Sequence, residues 1–327
     1  DPTPGVALLD LDDRGRAVDV ALHDGTAAAG AAAGGAFEVH GRAGADYRRG
    51  VTSDTRYTDW TPADAADRIA IPAVDDDKYS RGVLGVVTGS SSYPGAAVLG
   101  VEAALHTGVG MLRYLGPARA SDFVLHRRPE AVTSPGRVQA WLLGSGVDPD
   151  HLDDETRDGF ATGASSGVPL VLDAGALSLR EQATGPVVLT PHFRELAKAS
   201  GREVDDVAAD PAGAAERAAG EWGCTVLVKG PRAYVASPGG TRLVAASAPT
   251  WLATAGAGDA LGGVLGALVA THADEIAADE EALARLAATA AVVHGLAASR
   301  ASAGGPLTVL GLVDALPATI AELLRRG

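Results

Sequence analysis

The residues best placed to do chemistry lie in the C-terminal third, in Thr254-Ala255-Gly256-Ala257-Gly258-Asp259. A run of small apolar residues from Ala260 to Leu268, including Gly262 and Gly263, follows directly and reads as a helix. Amides at a helix N-terminus are free and partially positive, so such a junction favours an anion, most often a phosphate. Gly256 and Gly258 would let the backbone close around that group. Asp259 stands where its carboxylate could act on whatever carries the phosphate. A plain N-cap would account for the aspartate through the helix dipole. It would not require the two glycines beside it, nor the Gly262-Gly263 pair that lets the helix approach its neighbours.

Four further segments leave apolar runs and enter loops. Gly89-Ser90-Ser91-Ser92-Tyr93-Pro94-Gly95-Ala96-Ala97 permits close backbone approach ahead of a helix, although an ordinary turn favours the same residues. It lacks the Gly-Lys-Ser/Thr ending of a Walker loop. Gly144-Ser145-Gly146 follows Leu143 but fails the dinucleotide fingerprint for want of a third glycine. Thr190-Pro191-His192-Phe193-Arg194-Glu195 places His192 at or near a helix start, as a ligand contact or a structural histidine. Val228-Lys229-Gly230-Pro231-Arg232 ends a strand on a lysine that either reaches a phosphate or snorkels at the surface. Lysine is scarce, at Lys78, Lys198 and Lys229 alone, which favours function at Lys229.

Three features are set aside. Gly163-Ala164-Ser165-Ser166-Gly167 matches a nucleophile elbow in letters, but a helix precedes it and a strand follows, the reverse of what that turn needs. Asp75-Asp76-Asp77 reads as a solvated charge run, with a metal as the lesser alternative. Cys224, the only cysteine, precedes Thr225-Val226-Leu227-Val228 and reads as a buried structural thiol. One cysteine excludes an intramolecular disulfide and a multi-cysteine zinc site.

Positioning these loops requires alternating elements. Short apolar runs at 83–87, 111–115, 138–143, 170–172, 187–189 and 225–228 read as strands buried on both faces. Helical patterns cover 96–108, 153–164, 194–200 and 210–222, and later 256–272, 280–301 and 309–325. Ala233–Ala236 and Arg242–Ala245, around Pro238-Gly239-Gly240, suggest an antiparallel hairpin. The alternation predicts an α/β layer fold with a mainly parallel sheet, ligands lying beyond the carboxyl ends of the strands. A formal charge of −14 argues against nucleic-acid binding. The run from Ala260 to Ala270 is too short to span a bilayer, and no signal sequence is visible, so a cytoplasmic protein with no membrane partner is expected. The chain opens on Asp1 rather than Met, which suggests that the true N-terminus lies upstream. Residues 1–58, with a Gly/Ala tract from Thr26 to Gly35, read as a linker, a small appendage or the remnant of an upstream domain, and 59–327 as the catalytic domain.

Taken in order, the motifs resemble the ribokinase-like superfamily, and within it the ADP-dependent NAD(P)H-hydrate dehydratases, the C-terminal domain of bifunctional NAD(P)HX repair enzymes. The resemblance rests on Lys78-Tyr79-Ser80-Arg81-Gly82, Tyr93 to Leu99, Gly144-Ser145-Gly146, Leu172-Asp173-Ala174-Gly175-Ala176-Leu177, Thr190-Pro191-His192 with Glu195, Lys229-Gly230, and Leu252 to Asp259. It implies a three-layer αβα sandwich with a mainly parallel central sheet. It also implies restoration of NADH or NADPH from the 6-hydroxylated cofactor, by phosphorylating the C6 hydroxyl and eliminating phosphate. On the same basis Asp259 is the catalytic base, and Gly256 and Gly258 form the anion hole. Ala96, Gly146, His192 and Asp259 would contact the hydrated nicotinamide nucleotide. Lys229, Gly230, Pro231, Arg232, Ala233 and Gly258 would contact ADP, with ATP as the alternative, and Mg²⁺ would bridge its phosphates. A NAD(P)H-hydrate epimerase, fused or separate, is the implied partner, and the Ala-rich C-terminal helices leave room for a homo-oligomer. The chain departs from the family pattern at Asp77 before Lys78, at Phe193-Arg194 in place of Pro-Gly, at Gly175 in place of the second Asp of Asp-Ala-Asp, and at Ala233-Tyr234. These departures bear on nucleotide preference more than on fold. A kinase of the same superfamily acting on a hydroxymethylpyrimidine, thiazole or sugar is the alternative enzyme, and a nucleotide-binding module without turnover the alternative outside catalysis.

Overall fold

The computed structural model describes residues 56–246 and 248–326, so the expected appendage lies, up to residue 55, outside the described residues. The apolar runs become strands β2 (Val83–Val87), β3 (Met111–Tyr114), β4 (Ala140–Leu143), β5 (Leu170–Leu172), β6 (Val187–Leu189) and β7 (Thr225–Val228). The expected hairpin forms from β8 (Ala233–Ala236) and β9 (Arg242–Ala245), paired antiparallel. A strand absent from the sequence reading, β1 (Thr58–Trp60), pairs parallel with β9 at the sheet edge. Among the described residues the sheet has nine strands in the order β1-β9-β8-β7-β6-β5-β4-β2-β3, and of these only β8 runs against its neighbours.

Alternation along each strand splits the core into two layers. Leu84, Val86, Leu142, Val171, Val188 and Leu227 face one cluster; Val83, Val87, Leu143, Leu172, Leu189 and Val228 face the other. Burying a side chain of this size stabilises the fold by roughly 1.5–3 kcal/mol. The first layer is built by helices α1 (Pro62–Ala66), α2 (Pro94–Thr107), α3 (Ala118–Arg127), α8 (Ala257–Thr271), α9 (Ala273–Ala278), α10 (Ala282–Ser302) and α11 (Val309–Arg326). The second is built by α4 (Asp154–Ser165), α5 (Phe193–Ser200), α6 (Val204–Ala209) and α7 (Pro211–Trp222), with a 3-10 helix over Ala174–Glu181. The result is a three-layer αβα sandwich.

Small residues set the closest approaches. A Cβ at Gly85 would lie 2.5 Å from the Trp141 ring, so β2 must be bare there for the indole to cross it. Where α8 passes α2, a Cβ at Gly263 would lie 2.2 Å from the Gly100 carbonyl, which accounts for the small-residue character of both helices. Among the described residues one helix is long and apolar enough to cross a membrane by composition, Ala282–Ser302, and 78% of that window is buried in the fold. It is the core helix of the first layer.

Candidate active site

Parallel strands β4, β5, β6 and β7 lie side by side, so the loops at their carboxyl ends converge. Asp173, one residue past β5 and 3% exposed, is the hub. Its Oδ2 accepts from Ser145 Oγ at 2.9 Å, and its Oδ1 accepts from Thr190 Oγ1 at 2.8 Å and Lys229 Nζ at 2.6 Å. Three of the loops singled out in the sequence thus meet at one carboxylate. Lys229 also lies 3.8 Å from Glu195 Oε2. Burial works against the lysine's charge, but Asp173 and Glu195 outweigh it and hold its pKa above the ordinary value. Lys229 is a paired interior cation, with 18% of its side chain exposed, rather than a snorkelling surface lysine.

His192 forms an isolated parallel bridge with Lys229, and its ring caps α5. Glu195 N–H donates to His192 Nδ1 at 3.2 Å, while the His192 amide donates to Glu195 Oε2 at 2.8 Å. This reciprocal capping box satisfies two otherwise free amides and leaves the His192 ring half-exposed at the strand end. Glu195 therefore orients His192 and also borders Lys229.

At the head of α8 the backbone turns through Gly256 at φ +91°, a left-handed conformation that favours glycine. A Cβ there would lie 2.6 Å from Leu99 Cδ1. No side chain caps this helix, and among the described residues the amides of Gly258 and Asp259 donate to no protein acceptor. Space in front of Gly258 opens toward Lys229, whose Nζ would lie 3.4 Å from a Cβ built on that glycine. Two free amides and an ammonium thus border one gap, an arrangement suited to an anion. Among the described residues the Asp259 carboxylate makes no hydrogen bond or ion pair. Burial first, and then the charge of Asp173, push its carboxyl up to about 6, against the pull of Lys229. An unpaired carboxylate tuned toward neutral pH beside an anion cradle is what a general base for phosphoryl transfer requires.

The remaining expected residues fall around this centre. Ala96, buried at the start of α2, packs on Gly146, where a Cβ would lie 2.3 Å from the Ala96 methyl. Tyr93 before it is 64% exposed. Gly230 lies under the Phe193 ring, 2.8 Å from a Cβ built there, so the Phe193 departure packs directly on the Lys229-Gly230 segment. Pro231 is exposed, and Ala233 opens β8. Arg232 is bonded to Asp59 Oδ1 at 2.9 Å in β1. Gly175 packs against Val147, whose carbonyl would lie 2.3 Å from a Cβ, so this backbone leaves no room for the family's second aspartate. Among the described residues no three His, Cys, Asp or Glu side chains gather as a metal site. Asp75, Asp76 and Asp77 lie in an exposed turn, where Asp77 Oδ1 accepts from the amides of Tyr79 and Ser80. Ser165 closes α4 and donates to Ala161 O, and Cys224 is buried, its thiol pushed up by burial.

Reading the residues alone did not find the hub or a second buried group. Asp173 entered only through the family pattern, since its partners are scattered over three strand ends. His294 on α10 is 5% exposed, and burial lowers its pKa to about 4, so its ring is neutral at physiological pH. Its place within an apolar helical run was the available signal.

Comparison with known proteins bears on the family and on the fold. A family model described as NAD(P)H-hydrate dehydratase matches residues 84–313. A bifunctional NAD(P)H-hydrate repair enzyme of Mycobacterium tuberculosis is 39% identical over 236 residues, covering 67% of this chain and 48% of that protein. An ADP-dependent (S)-NAD(P)H-hydrate dehydratase of Neisseria meningitidis serogroup B is 34% identical over 216 residues, covering 61% of this chain and 72% of that protein. The chain thus spans about half the length of the bifunctional relatives it matches. Among solved structures, an ADP/ATP-dependent NAD(P)H-hydrate dehydratase of Bacillus subtilis, co-crystallized with ATP/Mg²⁺, superposes with a TM-score of 0.73 at 23% identity, covering 82% of this chain and 99% of that one. A ribokinase-like superfamily protein of Enterococcus faecalis gives a TM-score of 0.72 at 20% identity, covering 84% and 99%. Both likenesses bear on the fold, which is ribokinase-like.

Proposed function

This chain belongs to the NAD(P)H-hydrate dehydratase family, and from that membership we propose that it restores NADH or NADPH from the hydrated cofactor in an ADP-dependent reaction. The observation that carries the reading is the unpaired Asp259 carboxylate beside the free amides of Gly258 and Asp259, with Lys229 across the gap.

Hydroxide leaves carbon poorly and phosphate leaves well, so the hydroxyl at C6 is phosphorylated first. Asp259 takes the hydroxyl proton as that oxygen bonds to phosphorus and the bond to the leaving nucleotide breaks. The Gly258 and Asp259 amides and the Lys229 ammonium stabilise the charge on the transferring group. In the second step phosphate departs with the electron pair of the C6–O bond, a proton leaves C5, and the ring double bond is restored. Asp173 keeps Lys229 in place and charged through the 2.6 Å contact. Ala96, Gly146 and His192 border the nicotinamide nucleotide, and Gly230 with Phe193 borders the adenine nucleotide.

Mg²⁺ fits as an ion carried mainly by phosphates and water, which needs one or two protein carboxylates rather than a cage. Asp259 is the unpaired carboxylate at the gap, and the ion would supply charge neutralisation on the phosphates. The bifunctional relatives support an epimerase, fused or separate, as the functional partner. Among the described residues the one helix long and apolar enough to cross a membrane is mostly buried in the fold, which supports reading it as a core helix.

The test supplies purified protein with hydrated NADH, Mg²⁺ and either ADP or ATP, and follows the return of NADH absorbance. Recovery with ADP, accompanied by AMP and inorganic phosphate, is expected. No recovery with either nucleotide, together with phosphorylation of a hydroxymethylpyrimidine or thiazole, would replace the dehydratase with the kinase.

A further inference from the structure

Strand β1, Thr58-Asp59-Trp60, carries no apolar run, yet it is held at the sheet edge from both faces. Its register sets Asp59 beside Val244 and Trp60 beside Ala245 on β9. Trp60 turns to the first layer, where its Nε1 donates to Thr289 Oγ1 on α10 at 3.0 Å. Asp59, one residue earlier, points to the opposite face. On that side Tyr57 packs with Ala212 and Val244, and its hydroxyl donates to the Ala212 carbonyl at 2.8 Å. The Tyr57 ring also stands edge-on to Tyr234 of β8, with centroids 5.3 Å apart. Asp59 Oδ1 accepts from a terminal nitrogen of Arg232 at 2.9 Å, one residue ahead of β8. Tyr57 and Asp59 thus reach across β9 to two residues at the head of β8.

Arg232 stands near the far end of the segment 229–233. At the near end Lys229 is held twice, its Nζ by Asp173 at 2.6 Å and its amide by the Pro191 carbonyl at 2.9 Å. Between the two cations lie only Gly230 and Pro231. Strands β7, β8 and β9 alternate in direction and β1 runs parallel to β9, so the carboxyl ends of β1 and β7 share one sheet edge. The segment is therefore strung between two carboxylates, one of them in a strand upstream of the matched residues 84–313. The Arg232 side chain is 19% exposed and that of Asp59 65%, and an ion pair this open adds little to global stability. In a chain of charge −14, one more carboxylate also opposes an anionic ligand at long range. What the pair does supply is local, a fixed end for the segment. We propose that Asp59 is a positioning residue that, through Arg232, holds the segment 229–233 in the shape that receives ADP. The proposal rests on the reading of that segment as an ADP contact.

Asp59→Ala, Asp59→Asn, Arg232→Ala and the double variant Asp59→Ala with Arg232→Ala separate this role from packing and from simple charge. Each is titrated with ADP and Mg²⁺ by calorimetry, assayed with hydrated NADH at varied ADP, and melted. Asp59→Ala is expected to lose about fivefold in ADP affinity, with KM for ADP raised alike, kcat within about twofold and a melting temperature within about 2 °C of wild type. Asp59→Asn keeps an acceptor for Arg232 and is expected to recover most of that affinity. Because Asp59 acts through Arg232, adding Asp59→Ala to Arg232→Ala is expected to cost no further affinity. Unchanged ADP binding in Asp59→Ala would overturn the proposal. So would tighter binding, which would show a charge that repels the nucleotide, and so would additive losses in the double variant. Equal losses in Asp59→Ala and Asp59→Asn with lowered melting temperatures would also overturn it, as the mark of a loosened sheet edge. A wild type that binds ADP but leaves hydrated NADH unchanged would remove the dehydratase reading alone, and the titrations would still decide the role of Asp59. A wild type that binds neither ADP nor ATP would remove the nucleotide reading and this proposal with it.

Discussion

Burial, with the charge of Asp173 behind it and Lys229 opposing, brings the Asp259 carboxyl to about 6. For catalysis the sign is simple: in its proposed role as base Asp259 must be ionised, so kcat/KM is expected to rise with pH through about 6 and then level. For stability the sign reverses. A carboxyl raised above its unfolded value of 3.8 stabilises the native state fully below that pH and loses the contribution as pH rises through about 6. The displacement corresponds to about 3 kcal/mol of cost at neutral pH. Asp259→Asn is therefore expected to melt several degrees above wild type at neutral pH, with the gap closing below pH ~4. The same variant should lose on the order of 10²–10⁴ in turnover while still binding ADP. Near-normal turnover would remove Asp259 from the chemistry, and a lower melting temperature at neutral pH would contradict the origin of its shift.

At the level of elements, the head of α8 divides labour between its two glycines. Gly256 turns left-handed against Leu99, whereas the space at Gly258 contains only Lys229 Nζ at 3.4 Å. Gly256→Ala should destabilise the protein by roughly 1–2 kcal/mol from the backbone alone, before Leu99 gives way. Gly258→Ala lies in ordinary helix and should fold at least as well as wild type, yet its methyl group enters the gap, so ADP affinity should fall. Melting curves and ADP titrations of the pair check the division; matching losses of stability would refute it. This turn was legible in the sequence because its glycines and aspartate are contiguous. Strands β2 to β7 were legible because burial on both faces leaves continuous apolar runs. Strand β1 was not, since Thr58-Asp59-Trp60 has no apolar run and is made a strand by pairing with β9. Nor was α3, in which Arg119, Asp122, His126 and Arg127 break up the apolar face. The Asp173 hub was hidden for a different reason: Ser145, Thr190 and Lys229 become neighbours only when β4, β6 and β7 assemble around β5.

On the scale of the whole molecule, the site joins parts that are distant in sequence. Strand-end loops supply Asp173 and Lys229, and α8, backed by α2 and α10, supplies the amides. A ligand seated across them binds only the folded state, so its binding energy adds to the stability of the assembled sandwich. At about a hundred times its dissociation constant, ADP should contribute about 2.7 kcal/mol, or several degrees in melting temperature for a domain of this size. The formal charge of −14 opposes an anionic nucleotide at long range, while Lys229 and the α8 amides attract it locally. Removing one negative charge at the gap relieves part of that opposition, so Asp259→Asn is expected to show an ADP-induced shift at least as large as wild type, with Mg²⁺ held constant. A clearly smaller shift in that variant would mean that Asp259 holds the nucleotide through its Mg²⁺ more than it repels the phosphates.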